Sequence, residues 1–117
     1  MDFPTKAAMA YDEGLVEQIR AILSDRPGLV VKKMFGGVGF ILQGNMAAGV
    51  LNDDLIIRTP RDEYDALLAG RHTRVMDLKG QPMRGWLLVE PAGYATDADL
   101  ERWIAKGVAV AESLPPK

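Results

Sequence analysis

Several residue types and patterns that accompany enzymatic chemistry are missing from this sequence. It contains no cysteine, which excludes disulfides, thiolate nucleophiles, iron–sulfur clusters and most structural zinc sites. It also has neither a G-x-S-x-G elbow nor an H-E-x-x-H pair, the usual signatures of serine and zinc hydrolases. These absences predict a protein that is not an enzyme and that needs no metal or other cofactor.

Long apolar runs and a surplus of one charge are missing as well. No segment approaches the roughly 20 apolar residues that span a bilayer, and the N-terminus lacks the basic and apolar blocks of a secretory signal. We therefore predict a cytoplasmic protein without a membrane partner. The 14 basic and 16 acidic residues give a net charge of −2 and are well mixed along the chain. This balance disfavours direct DNA binding, which usually requires a clustered basic face.

The length and composition fit one globular domain. The chain has 117 residues, of which 48% are hydrophobic and 26% are charged, close to the averages of ordinary globular proteins. Residues 1–10 show no periodicity and include Pro4, so we predict a flexible N-terminal arm there. Residues 11–117 are predicted to form a single domain.

A sheet is predicted in the middle of the chain, between residues 29 and 59. Apolar and β-branched runs alternate there with glycine, asparagine and aspartate, which is typical of antiparallel strands joined by tight turns. Gly36-Gly37 interrupts the pattern, Gly44-Asn45 suits a two-residue hairpin turn, and Asn52-Asp53 suits the next turn. These features predict an antiparallel meander.

Two further strands are predicted after the meander. Residues 75–78 suggest a short strand that ends in a turn at residues 79–82, where glycine and proline stand close together. The run from Trp86 to Val89 is apolar throughout, which indicates a strand with both faces buried.

Three helices are predicted around the sheet, each with its own start signal. Asp12 is placed to cap the first, and Thr59 to cap a short middle helix with Pro60 at its first position. Thr96 begins the last helix, in which Gly107 on the apolar face would allow a close approach to the sheet. The predicted fold is therefore α+β, an antiparallel meander sheet packed against an N-terminal and a C-terminal helix plus the short middle helix.

Three local patterns invite a chemical interpretation that their context disfavours. Gly37-x-Gly39 is similar to a dinucleotide-binding loop, but no helix follows it to hold a pyrophosphate. Asp53-Asp54 could hold a metal, but a tight turn explains at least one of the carboxylates and no third ligand is apparent nearby, so we favour the turn. His72, the one histidine, lies in a predicted loop and is expected to be solvated rather than to act as a general base.

Two groups of basic residues have more than one interpretation. Lys32-Lys33 beside Met34-Phe35 fits an edge strand with solvated lysines, which we favour, or phosphate contact and base stacking on single-stranded nucleic acid. A set of arginines in the second half could cluster in space, which sequence spacing does not determine. They are Arg58, Arg61, Arg71, Arg74 and Arg84.

Four sequence blocks together resemble a known bacterial family. They are Lys33-Met34-Phe35-Gly36-Gly37, Gly44-Asn45-Met46, Asp53-Asp54-Leu55-x-x-Arg58 and Met83-x-Gly85-Trp86. In this order and spacing they resemble the TfoX N-terminal domain family, from about residue 11 to residue 116. The resemblance implies a mixed α+β domain related to regulators of DNA transformation competence, which act with a cyclic-AMP receptor protein at promoters. Those regulators carry a second, C-terminal domain, and the resemblance implies no active site.

Two functions follow as hypotheses. The favoured one is a regulatory or adaptor domain that acts in transcription regulation by binding a protein partner, either a transcription factor or a second copy in a homodimer, through an exposed sheet face or edge. The alternative is a small-ligand-binding domain or an enzyme that uses a cleft in the glycine-rich sheet. The residues assigned to the family motif and to interaction are Lys32, Lys33, Met34, Phe35, Gly36, Gly37, Gly44, Asn45 and Arg58.

Overall fold

The fold is a single antiparallel sheet with helices packed on it, as the α+β prediction requires. The computed structural model describes residues 11–34, 36–78 and 80–117. The predicted N-terminal arm of residues 1–10 and the candidate residue Phe35 lie outside the described residues.

Six strands form the sheet in the order β1-β2-β3-β4-β6-β5. The first four follow one another as the predicted meander, and β6 pairs with β4 while β5 lies at the edge. The strands are β1 (Leu29–Met34), β2 (Gly37–Leu42), β3 (Asn45–Leu51), β4 (Asp54–Arg58), β5 (Thr73–Leu78) and β6 (Gln81–Val89).

The helices begin where their capping residues predict in two of three cases. Asp12 Oδ1 accepts a hydrogen bond from the Leu15 amide at 3.2 Å, and Thr96 Oγ1 accepts one from the Asp99 amide at 3.1 Å. None of the helices in the described part of the chain is long and apolar enough to cross a membrane. The helices are α1 (Glu13–Leu23), α2 (Tyr64–Leu68) and α3 (Asp97–Ser113), with 3-10 turns at Arg61–Glu63 and Pro91–Tyr94.

The predicted Thr59 cap of the middle helix is wrong. The Thr59 hydroxyl instead donates to the carbonyl oxygen of Gly85 at 3.0 Å, and the Thr59 amide donates to the same oxygen at 2.8 Å. A strand carbonyl thus takes the hydroxyl that would have capped the helix. Pro60 precedes a 3-10 turn, and α2 is only a short helix of 5 residues.

The turn between β2 and β3 lies one residue earlier than Gly44-Asn45. Gln43 and Gly44 occupy the turn with φ angles of 51° and 88°, the doubly positive pair that matches the twist of a hairpin. Asn45 is the first residue of β3 and pairs with Leu42. Its side chain is 1% exposed and its Nδ2 donates to the Pro115 carbonyl at 3.0 Å, so it connects the hairpin to the C-terminal segment.

The predictions for β5 and β6 also need correction. Gln81 and Pro82 belong to β6 rather than to a turn, and they pair with the end of β5. Leu87 and Val89 are fully buried, but Trp86 and Leu88 are only half-buried. The strand is therefore covered completely on one face alone, because the helices of the described residues pack on that face.

The hydrophobic core lies between one face of the sheet and helices α1 and α3. Phe40, Ile57 and Ile104 are almost fully buried there, and each such side chain contributes about 2 kcal/mol by burial. Gly107 permits the contact of α3 with the sheet, because a Cβ atom at this position would lie 2.1 Å from the Ala47 carbonyl oxygen. This confirms the prediction that Gly107 allows a close approach.

Candidate functional site

One face of the sheet is uncovered within the part of the chain that the structure describes. Phe40 and Leu42 of β2 point into the core, so Gly39 and Ile41 between them lie on the opposite face. No described helix packs on that opposite face, which we call the open face. Its apolar side chains are Val30, Met34, Ile41, Met46, Leu51, Ile56, Trp86 and Leu88.

Two methionines lie over a pair of glycines at the centre of the open face. Gly39 of β2 pairs directly with Gly49 of β3. A Cβ atom on Gly39 would lie 3.0 Å from Met34 Sδ and 3.4 Å from Met46 Sδ, so both thioethers occupy the space that the glycines leave. Methionine side chains are flexible and polarizable, and they occur often on surfaces that adapt to a partner.

Charged residues of opposite sign lie at the two margins of the open face. Lys32 is exposed on β1 at one margin. At the other, Arg74 forms ion pairs with Asp54 and with Glu90, the latter at 2.9 Å between Nε and Oε2. The hydrogen bond that Arg74 donates to Asp54 raises the pKa of Arg74. One arginine and two carboxylates give this trio a net negative formal charge.

The edges of the sheet carry exposed valines. Val30 on β1 is 53% exposed and Val75 on β5 is 40% exposed. A register shift between Val75 and Asp77 interrupts the β5 edge, whereas β1 pairs with β2 without a shift. Lys32 and Lys33 are exposed on β1, as the edge-strand interpretation predicted.

A cavity of about 730 Å³ lies between the end of β4, the start of α2, the bend in β6 and the C-terminal half of α3. We call it the arginine cavity. Among the described residues, its lining includes Arg58, Arg61 and Arg84 but no aspartate or glutamate. The Arg58 guanidinium carbon lies 5.2 Å from the centroid of the Trp86 ring, and that of Arg84 lies 5.0 Å from the centroid of the Tyr64 ring. Such cation–π pairs hold both guanidinium groups beside the cavity.

The structure thus brings together part of the set of arginines that sequence left open. Arg84 reaches the cavity although Asp65 pairs with it at 3.1 Å on the exposed surface. Arg74 belongs to the ion pairs at the margin of the open face, and Arg71 lies in the turn before β5.

The residues of the predicted interaction set do not form one site. Lys32 and Met34 lie on the open face, whereas Lys33 lines a second cavity of about 320 Å³ beneath α1. Gly36 forms the β1–β2 turn with a φ angle of 78°, and a Cβ atom on Gly37 would lie 2.1 Å from the Val50 carbonyl oxygen. These two glycines therefore have backbone roles.

Gly44 and Asn45 lie at the opposite end of the sheet from Gly36 and are tied to the C-terminal segment. The Lys117 amide donates to the Gln43 carbonyl at 2.9 Å, beside Gly44. Arg58 is the one member of the predicted set that lines the arginine cavity. Neither cavity follows the glycine-rich stretch that the small-ligand alternative invoked.

The remaining sequence candidates occupy turns and ion pairs. His72 is exposed with a φ angle of 67°, and its carbonyl oxygen accepts a hydrogen bond from the Glu90 amide at 2.8 Å. The Asp53 carbonyl oxygen accepts from the Tyr94 hydroxyl, and Asp54 pairs with Arg74. In residues 11–34, 36–78 and 80–117, no group of three or more His, Cys, Asp or Glu side chains could hold a metal ion.

Sequence reasoning missed most of the arginine cavity and the extent of the open face. Tyr64, Arg84 and Trp86 meet Val110 only through the tertiary fold, and their spacing carries no signal. The open face did leave a signal, because Gly37–Leu42 contains no polar residue at alternate positions. Such continuous apolar strands are typical of sheets with both faces buried.

Comparison with known proteins gives one family. The profile of the TfoX N-terminal domain matches residues 21–111. This range covers the whole sheet and most of α3, and it is shorter at both ends than the span of about 11 to 116 expected from the sequence blocks. A search among curated proteins found no significant match.

Proposed function

This chain belongs to the TfoX N-terminal domain family, and from that membership we propose that it is a regulatory domain that acts by binding protein and not by catalysis. The binding surface is the open face of the sheet, and its occupant is a second copy of the chain. A homodimer formed in this way is the regulatory unit, related in role to the regulators of transformation competence that the family resemblance implies.

A single observation carries the proposal, namely the apolar character of the open face. Three helices cover one side of the sheet, but Met34, Ile41 and Met46 on the other side have no described helix above them. Contiguous apolar surface of this kind marks sites of protein–protein contact in water. The methionines add the adaptability that such a surface needs.

The charges at the margins favour a second copy as the occupant. A two-fold axis parallel to the strands places the β1 margin of one copy over the β6–β5 margin of the other. Lys32 then faces the trio of Arg74, Asp54 and Glu90, whose net charge is negative. Each copy supplies both halves of this contact, so the surface is self-complementary.

Pairing of β1 with β1 of a second copy is less favourable. In an antiparallel pair of β1 edges, Lys32 and Lys33 of both copies would come together. Like charges opposite each other in a sheet are destabilising. The face, rather than the edge, is therefore the contact that we propose.

The size of the open face sets the expected strength of the dimer. Five strands spaced about 4.8 Å apart, with about five paired residues each, give a face of roughly 20 Å by 20 Å, or about 400 Å². A standard stable interface buries about 800 Å² per partner. We therefore expect a weak dimer that dissociates on dilution through the micromolar range.

Sedimentation velocity tests this proposal over protein concentrations from about 1 µM to about 1 mM. The expected result is a concentration-dependent dimer. Met46→Glu places a charge at the centre of the face, where it would be buried without a partner, and should weaken the dimer at least tenfold.

A matched pair of variants locates the contact. Val30→Glu and Val75→Glu introduce the same charge at exposed valines on the two edge strands. Val30 borders the open face and would meet the acidic margin of the other copy, so only Val30→Glu should weaken the dimer. A monomer at every concentration, or an equal loss with Val75→Glu, would contradict the proposal.

A further inference from the structure

The arginine cavity is a second site with its own chemistry, and we infer that it binds a small organic phosphate. Arg61, Arg84 and Arg58 supply the positive charge, while α3 supplies an apolar wall. The site borders one end of the open face through Arg58 and Trp86, but its occupation does not require a second copy of the chain.

The positive charge of the cavity lining favours an anionic ligand. The described lining contains three arginines and no carboxylate, although the whole chain has a net charge of −2. Among the described acidic residues, none forms an ion pair with Arg58 or Arg61. The pair between Arg84 and Asp65 is exposed, and such surface pairs contribute little, so a phosphate can replace Asp65 at small cost.

Aromatic rings hold two of the guanidinium groups in position to bind an oxyanion. Arg84 lies over the ring of Tyr64, which is 4% exposed and therefore held by its surroundings, and Arg58 lies over Trp86. A guanidinium group that stacks on a ring keeps its N–H donors in the plane free for an oxyanion. Side chains that are already positioned lose less conformational entropy on binding.

The apolar wall and the size of the cavity indicate a ligand larger than a phosphate ion. Val110 of α3, Leu114 directly after that helix and Pro60 line the site. The volume of about 730 Å³ lies within the range of roughly 300 to 1,000 Å³ that holds small organic ligands. The ligand class is therefore a phosphate ester with an apolar or ring-shaped part, rather than the inorganic ion alone.

A small ligand fits better than a nucleic-acid strand. Strand binders carry a basic groove that follows the backbone over several nucleotides. Here the three arginines line one concave site, Asp65 pairs with Arg84, and Asp62 is exposed next to Arg61 in the chain. A long phosphate chain would meet these carboxylates as soon as it left the cavity.

The test is a titration followed by ¹H–¹⁵N NMR, with adenosine 5′-monophosphate, inorganic phosphate and adenosine as probes. The two tryptophans give an internal control, because Trp86 lines the cavity while the Trp103 indole donates to the Gly93 carbonyl at 3.1 Å. We expect saturable shifts of the Trp86 indole and of residues 58–64 and 84–86, with Trp103 unchanged. The monophosphate should bind at least threefold more tightly than inorganic phosphate, and adenosine should not bind.

Two variants and a matched control identify the cations. Arg61→Gln and Arg84→Gln should each weaken binding of the monophosphate at least tenfold. Arg102→Gln removes an arginine that is equally exposed and also paired with an aspartate, but lies outside the cavity, and it should change binding by less than twofold. Unchanged amide spectra away from the site show that each variant is folded.

Three outcomes would overturn the inference. One is the absence of saturable shifts at millimolar concentrations of the monophosphate. Another is a spread of the shifts to Lys32 and Lys33, which would indicate unspecific attraction of anions. The last is tight binding of a single-stranded 12-mer oligonucleotide with a steep dependence on salt, which would assign the site to nucleic acid.

Discussion

The two faces of the sheet differ in whether backbone or flexible side chains lie against their glycines. On the covered face, Gly107 of α3 touches the backbone of Ala47, and a Cβ atom there would lie 2.1 Å from a carbonyl oxygen. On the open face, the nearest neighbours of a Cβ atom on Gly39 would be the ends of Met34 and Met46. A backbone contact cannot yield without moving two elements, whereas a methionine can change its rotamer. At these two positions, the covered face is therefore rigid and the open face is adaptable.

Truncation of a large side chain on each face should give the widest contrast. Phe40→Ala removes a fully buried ring from the covered face and should lower the free energy of unfolding by about 4 kcal/mol. Met46→Ala on the open face should lower it by about 1 kcal/mol, because the side chain is half-buried and its neighbours can rearrange. Urea denaturation of both variants measures the difference. Equal losses would mean that the two faces are packed alike.

Addition of one methyl group to each face tests rigidity directly. Gly107→Ala should lower the free energy of unfolding by about 3 kcal/mol, because the new Cβ atom forces α3 away from the sheet. Gly39→Ala makes the same chemical change and should cost less than about 1 kcal/mol, because only methionine ends must move. Thermal and urea unfolding of the two variants provide the measurement. A large loss for Gly39→Ala would show that Met34 and Met46 are fixed.

A smaller loss of stability, caused by high pH, is expected from Tyr94. This residue lies at the margin of the covered face, where the turn before α3 meets the turn between β3 and β4. Burial, followed by the nearby carboxylates of Asp12, Asp53 and Asp54, raises the pKa of Tyr94 to about 12. The unfolded value is about 10, so the stabilisation is complete below pH 10 and is lost as the pH rises towards 12.

The loss should be about 1 kcal/mol, because solvent screens this half-buried group. Unfolding of the wild type and of Tyr94→Phe between pH 9 and pH 12 measures it. Tyr94→Phe should lack this component of the pH dependence, although both proteins share the titration of lysines and other tyrosines. If the free energy of unfolding falls equally with pH in the two proteins, Tyr94 is not the cause of the loss.

Much of the fold was predictable from local patterns. Asp12 and Thr96 cap their helices because their side chains bond to amides within three residues, a contact that needs no other part of the chain. Thr59 shows where this logic ends. Its hydroxyl has two acceptable partners, and Gly85, far along the sequence, takes it. The hairpin turn was predicted one residue too late, because Gln43 adopts a positive φ angle that is uncommon for a residue other than glycine.

The candidate sites were predictable only in part. The open face could have been predicted from β2, because this strand contains no polar residue. The arginine cavity could not, because Arg61, Arg84 and Val110 come from three separate segments. No periodicity relates residues that meet only when a strand, a turn and a helix pack together.

Local patterns were enough to predict the α+β class, the meander of the first four strands and two helix starts, and the lack of cysteine excludes cysteine chemistry. These properties depend on residue type and on contacts between near neighbours in the chain. Two further properties are visible only in the folded chain, namely which face of the sheet the helices cover and which arginines lie beside Tyr64 and Trp86. Both outcomes depend on long-range packing, in which burial of apolar surface selects one arrangement among many that the local patterns allow.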